Sequence, residues 1–196
     1  MIEQNPGRDA AIRAMLPIAA REGWNARTLR LGLAAAGEDP ALAGSHFPTG
    51  PAGAITAWSD LADRDMAAAV AAEGLPGRTP QRIRRLLELR LAAVAPHKAA
   101  LRRALSLLAL PWNAPLALAA TARTVDAMWY AAGDSAADFS WYTKRATLAA
   151  IYGATLAFWL RDDDPGLDAA LDFLDRRLAG LARLGKMRRG LRPARA

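Results

Sequence analysis

The chain has 196 residues, 53% of them hydrophobic, and a formal net charge of +7. That length and apolar content suit one domain with a sizeable core and exclude a disordered chain. No cysteine is present, which excludes a disulfide framework and a thiolate metal site.

The first residues include Glu3, Asn5, Pro6 and Asp9, without the apolar centre of a signal peptide, so the reading is of a soluble, cytoplasmic chain from its start. Ala and Leu dominate the aliphatic residues and β-branched ones are scarce, which points to helices throughout. The first predicted helix runs from about Arg8 to Met15 and ends or kinks at Pro17. Asn25 is the expected N-cap of a second helix through Ala36, stopped by Gly37. A short third helix follows from Pro40 to about His46, and a longer fourth from Pro51 to Ala72, stopped by Gly74.

Thr79-Pro80 marks the fifth start, a capping hydroxyl before proline at the first helical position. This helix presents Ile83, Leu86, Leu87, Leu91 and Val94 on one face, with Arg82, Arg85 and, beyond Pro96, Arg102 and Arg103 turned outward. The sixth ends at Pro111. Asn113 is expected to cap the seventh, with Leu118, Val125, Met128 and Trp129 among its apolar positions and Gly133-Asp134 as its stop. Asp138 is the predicted cap of an eighth helix through Leu160, apolar around much of its circumference and therefore read as central and buried. Asp162–Asp164 and Pro165 form the next turn, with Asp164 as cap. The ninth helix carries Leu167, Leu171, Leu174, Leu178 and Leu181 on one narrow seam. The sequence therefore predicts an all-α bundle of about nine helices.

Charge is distributed unevenly. Residues 1–60 hold five Arg against six acids, Arg78 to Arg103 holds eight basic residues against Glu88, and Arg176 to the end holds eight and no acid. The uncharged run from Ala104 to Ala122 approaches the ~20 residues that cross a bilayer. Pro111, Trp112, Asn113 and Pro115 interrupt it, so a buried helix–turn–helix corner is expected there instead.

Catalytic chemistry finds little support. His46 and His97 stand on different helices without metal-ligand spacing, so neither a metal nor another cofactor is expected, and no phosphate-binding glycine loop is present. Asp162–Asp164 reads as a solvated helix N-terminus rather than a cation site. Three short helices before a long fourth are also the layout of a TetR-type repressor, with a helix-turn-helix head over residues 1–50. The segment in the recognition position, Pro40 to Phe47, has no Arg, Lys, Asn or Gln to read a base edge. No nucleic-acid binding is expected, and a ligand-responsive repressor is kept as the alternative. In the helical body, residues 51–184, Leu105, Leu108, Leu118, Met128, Leu148 and Ile151 are candidate walls of an apolar ligand cavity. Ordinary core is the competing account of the same six.

The stretch from Val125 to Ile151 carries Asp126-x-x-Trp129, Ala132-Gly133-Asp134, Asp138, Trp141-Tyr142-Thr143-Lys144-Arg145 and Leu148. With Pro96-His97-Lys98, Leu110 to Pro115, Phe173 to Arg177 and Gly23-Trp24, this resembles the accessory lipid-binding protein family of ubiquinone (coenzyme Q) biosynthesis. The resemblance implies a TetR-like fold that does not regulate transcription. It implies binding of an isoprenoid lipid or quinone intermediate, and its presentation to a membrane-associated di-iron demethoxyubiquinone hydroxylase. Trp141 and Tyr142 would meet that hydroxylase, with Asp126, Lys144 and Arg145 close by. Eukaryotic members of the family carry a further amphipathic helix after the ninth, whereas here residues 185–196 form a short basic tail. Arg183, Lys186, Arg188, Arg189 and Arg192 are the candidate contacts to the inner face of an anionic membrane. Homodimerisation through the last helices is left open.

Overall fold

The computed structural model describes residues 5–133, 140–161, 163, 164 and 166–190, the side chains of residues 140 and 182–190 excepted. The elements in order are α1 (Pro6–Glu22), α2 (Ala26–Ala35), α3 (Ala43–His46), α4 (Gly50–Glu73), α5 (Thr79–Val94), α6 (Lys98–Leu108), α7 (Ala114–Ala131), α8 (Ser140–Trp159) and α9 (Asp168–Gly190). Single 3₁₀ turns precede α3, α6 and α7. Among the described residues there is no strand, so the chain is all-α as expected.

α1 is longer than its sequence suggests and continues through Pro17. Asn5 caps it by accepting from Arg8 N–H at 2.9 Å, and Pro6 opens it. Proline inside a helix removes one backbone bond. Here that loss is outweighed by packing, because Ala11, Ile12, Met15, Leu16 and Ala19 form a buried stripe on both sides of Pro17. The stripe packs on α2 and α6. Gly23 ends the helix with φ 81°, a conformation that disfavours any side chain. Asn25 caps α2 as predicted, accepting from Thr28 N–H at 3.0 Å.

The head is tied to the body by specific contacts. Arg64 of α4 forms a fork with Asp9 at 2.6 and 2.7 Å, and Arg13 reaches Asp65 at 2.8 Å. Trp24 donates its indole N–H to Ala100 O at 3.0 Å and stacks on Trp58 of α4 at 5.7 Å between centroids. In the body, α4 packs on α5 and α7, and α8 packs on α7 and α9.

Several local expectations are corrected. Thr79 is the first residue of α5 rather than its cap; the Arg78 N–H is satisfied by Gln81 Oε1 at 2.9 Å. Asn113 stands before α7, but its amide turns back to Leu107 O at 2.9 Å, sealing the end of α6. Asp164 closes a tight turn onto Gly166 N–H at 2.8 Å, and α9 begins only at Asp168. Asp134 and Asp138 lie outside the described residues. α8 is buried on one face alone, through Leu148, Ile151, Tyr152, Thr155, Leu156 and Trp159. Its opposite face is Ala146, Ala150, Gly153, Ala154 and Ala157, all exposed, so apolar composition there reflects small residues and not burial. α9 runs to Gly190, so the boundary drawn at 184/185 falls inside a helix.

Among the described residues no single helix is long and apolar enough to cross a membrane. The uncharged run from Ala104 to Ala122 is broken as expected, and the chain turns through 97° there. The corner is not buried, however: Trp112 is 73% exposed.

Candidate functional site

Five helices of the body, α4 to α8, line a partly open cavity of about 290 Å³. α7 contributes Ala117, Ala120, Thr121 and Thr124, a three- and four-residue spacing that keeps them on one face. The small residues of that face leave the space open. α6 supplies Leu101, Ala104, Leu105 and Leu108, α4 supplies Ile55 and Trp58, and α8 supplies Tyr152 and Leu156.

Of the six predicted wall residues, Leu105 and Leu108 line this cavity. Leu118 does not; it is 72% exposed, because it lies one position past Ala117 and so about 100° around α7. Met128, Leu148 and Ile151 are buried in the core outside the lining, the ordinary role that competed for them.

The polar side of the cavity was not anticipated. Arg90 of α5 is 3% exposed, and its Nε donates to Asp63 Oδ1 at 2.7 Å. Its Nη2 donates to Ser59 Oγ at 3.1 Å, and the Thr124 hydroxyl donates to Asp63 Oδ2 at 2.8 Å. Burial raises the Asp63 carboxyl above its ordinary value, opposed by the Arg90 charge and by hydrogen bonds from Thr124 and Arg90. Burial likewise raises the Tyr152 phenol, keeping it a neutral donor. Arg90 was counted only among the eight basic residues from Arg78 to Arg103, yet it stands seven residues after Ile83 and four after Leu86, on the buried face. That spacing was the available signal. The rest of the cluster is largely committed as well: Arg84 holds Glu88 and Asp175, Arg85 holds Glu73, and Arg82 donates to Ala132 O. Arg102 donates to Leu160 O and Asp163.

His97 meets the ring of Trp58 edge-on at 6.3 Å. Burial lowers its pKa, and the Arg13 charge adds to this. A base with a lowered folded pKa favours the folded state above its unfolded value of about 6.5, and that contribution is lost as pH falls toward the folded value. Thermal midpoints between pH 7.5 and 5 should therefore decline less steeply in His97→Gln than in the wild type. An unchanged slope would show that His97 protonates freely in the fold.

All five predicted partner residues come together on one surface, where α7 meets α8. Arg145 pairs with Asp126 and lies over the Trp141 ring at 3.8 Å. Tyr142 meets Trp141 edge-on at 4.7 Å, and Lys144 stands over Trp129 at 5.7 Å. Tyr142 is 70% exposed, while Trp141 and Arg145 are half-buried. Among the described residues, Trp129 Nε1 and Arg145 Nη1 are buried without a hydrogen-bond partner. Arg183, Lys186, Arg188 and Arg189 fall on the last turns of α9, and Arg192 lies outside the described residues.

The head offers a poor surface for a duplex. The predicted third helix is a 3₁₀ turn, Pro40–Leu42, and the single turn α3, and its exposed residues include Ala41, Leu42, Gly44 and Ser45. None can neutralise a phosphate. Selection from random duplexes at physiological salt should return no consensus; a palindrome bound at nanomolar affinity would restore the repressor alternative.

This architecture is that of a TetR-like helical protein. A TetR transcriptional regulator from Nitrosomonas europaea ATCC 19718 superposes with a TM-score of 0.72 at 25% identity, over 91% of this chain and 99% of that one. The profile of the COQ9 family matches residues 114–185, the span holding α7, α8 and most of α9. The mitochondrial ubiquinone biosynthesis protein COQ9 of Rattus norvegicus is 40% identical over 108 residues, 55% of this chain and 35% of the relative. The Homo sapiens protein of that name is also 40% identical over 108 residues, and the Drosophila melanogaster one is 30% identical over 191, 90% of this chain and 57% of the relative. Over residues 114–185 the chain is thus similar to the COQ9 family. It aligns with about a third of the length of the rat and human relatives.

Proposed function

We propose that this protein is a non-catalytic accessory protein of ubiquinone biosynthesis, which binds an isoprenoid quinone intermediate and presents it to the demethoxyubiquinone hydroxylase. The observation that carries the reading is the largely apolar cavity of about 290 Å³, bounded by Leu101, Leu105, Leu108 and Leu156, in a chain similar to COQ9 proteins. Concave, mostly apolar sites with a few placed polar groups are the usual form of small-molecule sites. The surface formed by Trp141, Tyr142, Asp126, Lys144 and Arg145 is the proposed contact with the hydroxylase, as exposed aromatics beside arginine are common interface anchors.

The relatives are mitochondrial by name. For this chain we place the work at the face of the membrane that holds the quinone pathway, with the basic end of α9 attracted to anionic lipid. Protein purified without detergent should carry a prenylated, ring-bearing lipid, detected by solvent extraction and mass spectrometry at a stoichiometry that rises with protein purity. A preparation free of any lipid, and unable to take up a quinone added to it, would defeat the proposal.

A further inference from the structure

The cavity has an unequal chemistry that bears on the head of its ligand. Its polar side is gathered at Arg90, Ser59, Thr124 and Tyr152, while Leu101, Leu105, Leu108 and Leu156 give an apolar wall. Most of these polar atoms are already in use. Arg90 Nε is committed to Asp63 and Nη2 to Ser59, and Thr124 donates to Asp63. Thr56 and Thr121 bond back to the carbonyls of Gly53 and Ala117 on their own helices. Two donors remain. Among the described residues, neither Arg90 Nη1 nor the Tyr152 hydroxyl has a hydrogen-bond partner, although both side chains are buried. Neither atom is fully sealed in the core, and both side chains line the cavity.

Charge balance decides what they can hold. The guanidinium already faces the Asp63 carboxylate at 2.7 Å. A carboxylate or phosphate entering the cavity would give up its hydration for a cation that is already neutralised, and would leave a net buried negative charge. A plain hydrocarbon would leave both donors unpaired. A neutral oxygen meets both requirements.

The structure assigns this end of the cavity to a neutral, carbonyl-bearing head group, accepting from Arg90 Nη1 and Tyr152 Oη, with the apolar tail along Leu101, Leu105, Leu108 and Leu156. The assignment rests on the lipid-binding reading above and adds to it the two side chains, Arg90 and Tyr152, that would hold the head. The volume of about 290 Å³ is at the small end of ligand sites, so it takes the head and the first part of a tail.

The test compares three probes of equal chain length: decyl-benzoquinone, decylbenzene and decanoate. Their binding is followed by quenching or displacement at Trp58, which lines the cavity. Wild type should bind the quinone at least about tenfold more tightly than either other probe. Tyr152→Phe, which keeps the shape, should weaken the quinone roughly 3- to 10-fold, and Arg90→Leu/Asp63→Leu about tenfold or more, with decylbenzene bound no more weakly than by wild type. Equal affinity for decylbenzene and the quinone, unchanged in both variants, would overturn the head assignment and leave lipid binding standing. Preference for decanoate, lost with Arg90, would assign an acidic head and overturn it too. Failure of wild type to bind any of the three would bring down both readings.

Discussion

Arg90→Leu is expected to destabilise the protein by about 3–5 kcal/mol, because it strands a buried carboxylate. Asp63 loses the guanidinium that holds it at 2.7 Å and keeps only the Thr124 hydroxyl at 2.8 Å. Desolvation, already the largest influence on Asp63, then acts nearly unopposed. Arg90→Leu/Asp63→Leu should recover most of the loss, since replacing a whole buried pair with apolar residues is often neutral or favourable. Ser59 and Thr124, whose hydroxyl oxygens lie 3.4 Å apart, can then serve each other. Urea titrations should show the single variant's midpoint well below wild type and the double variant's close to it. For a domain of this size the single change corresponds to a fall in Tm on the order of 10 °C. If the double variant is as unstable as the single one, the pair stabilises the fold, and its role at the cavity becomes secondary.

That pair also shows where sequence reasoning stopped. Helix type and order followed from Ala and Leu content, from Asn25, Gly74 and the Thr79-Pro80 start, all local signals that tertiary packing left in place. Pro17 misled because a buried stripe on both sides of it outweighs one missing backbone bond. α8 misled because alanine is apolar whether or not it is covered. For the cavity, hydrophobic periodicity names core faces but cannot tell a filled space from an open one. Leu105 and Met128 look alike in sequence, yet only Leu105 borders the space, since the opening is made by the small residues of α7 opposite it. Polar residues on a core face carried the missing information. Arg90 keeps the register of Ile83, Leu86 and Val94, and a charge in that register must find a buried partner. The proposed partner surface is the reverse case: no periodicity marks it, and it rests on a short motif.

Truncating that patch is the second large effect. Trp141→Ala/Tyr142→Ala should weaken the proposed complex with the hydroxylase by about 2 kcal/mol or more, roughly thirtyfold, while the fold persists. The separation of the two effects follows from exposure. A pair of core aromatics would cost about 3–5 kcal/mol for each truncation, but Tyr142 is 70% exposed and Trp141 is half-buried, with Arg145 and Tyr142 against its ring. Removing Trp141 takes away a half-buried ring contact to Arg145 worth roughly 1–2 kcal/mol, and the Arg145–Asp126 pair remains to hold the guanidinium. Tyr142→Ala alone is the cleaner probe, since it touches the fold least, and it should still cost several-fold in affinity. Pull-down and thermal unfolding on one preparation distinguish the outcomes. Lost capture with a near-normal Tm is the expected result. A large drop in Tm would make Trp141 a core residue, and full capture at unchanged Tm would move the hydroxylase contact elsewhere on the molecule.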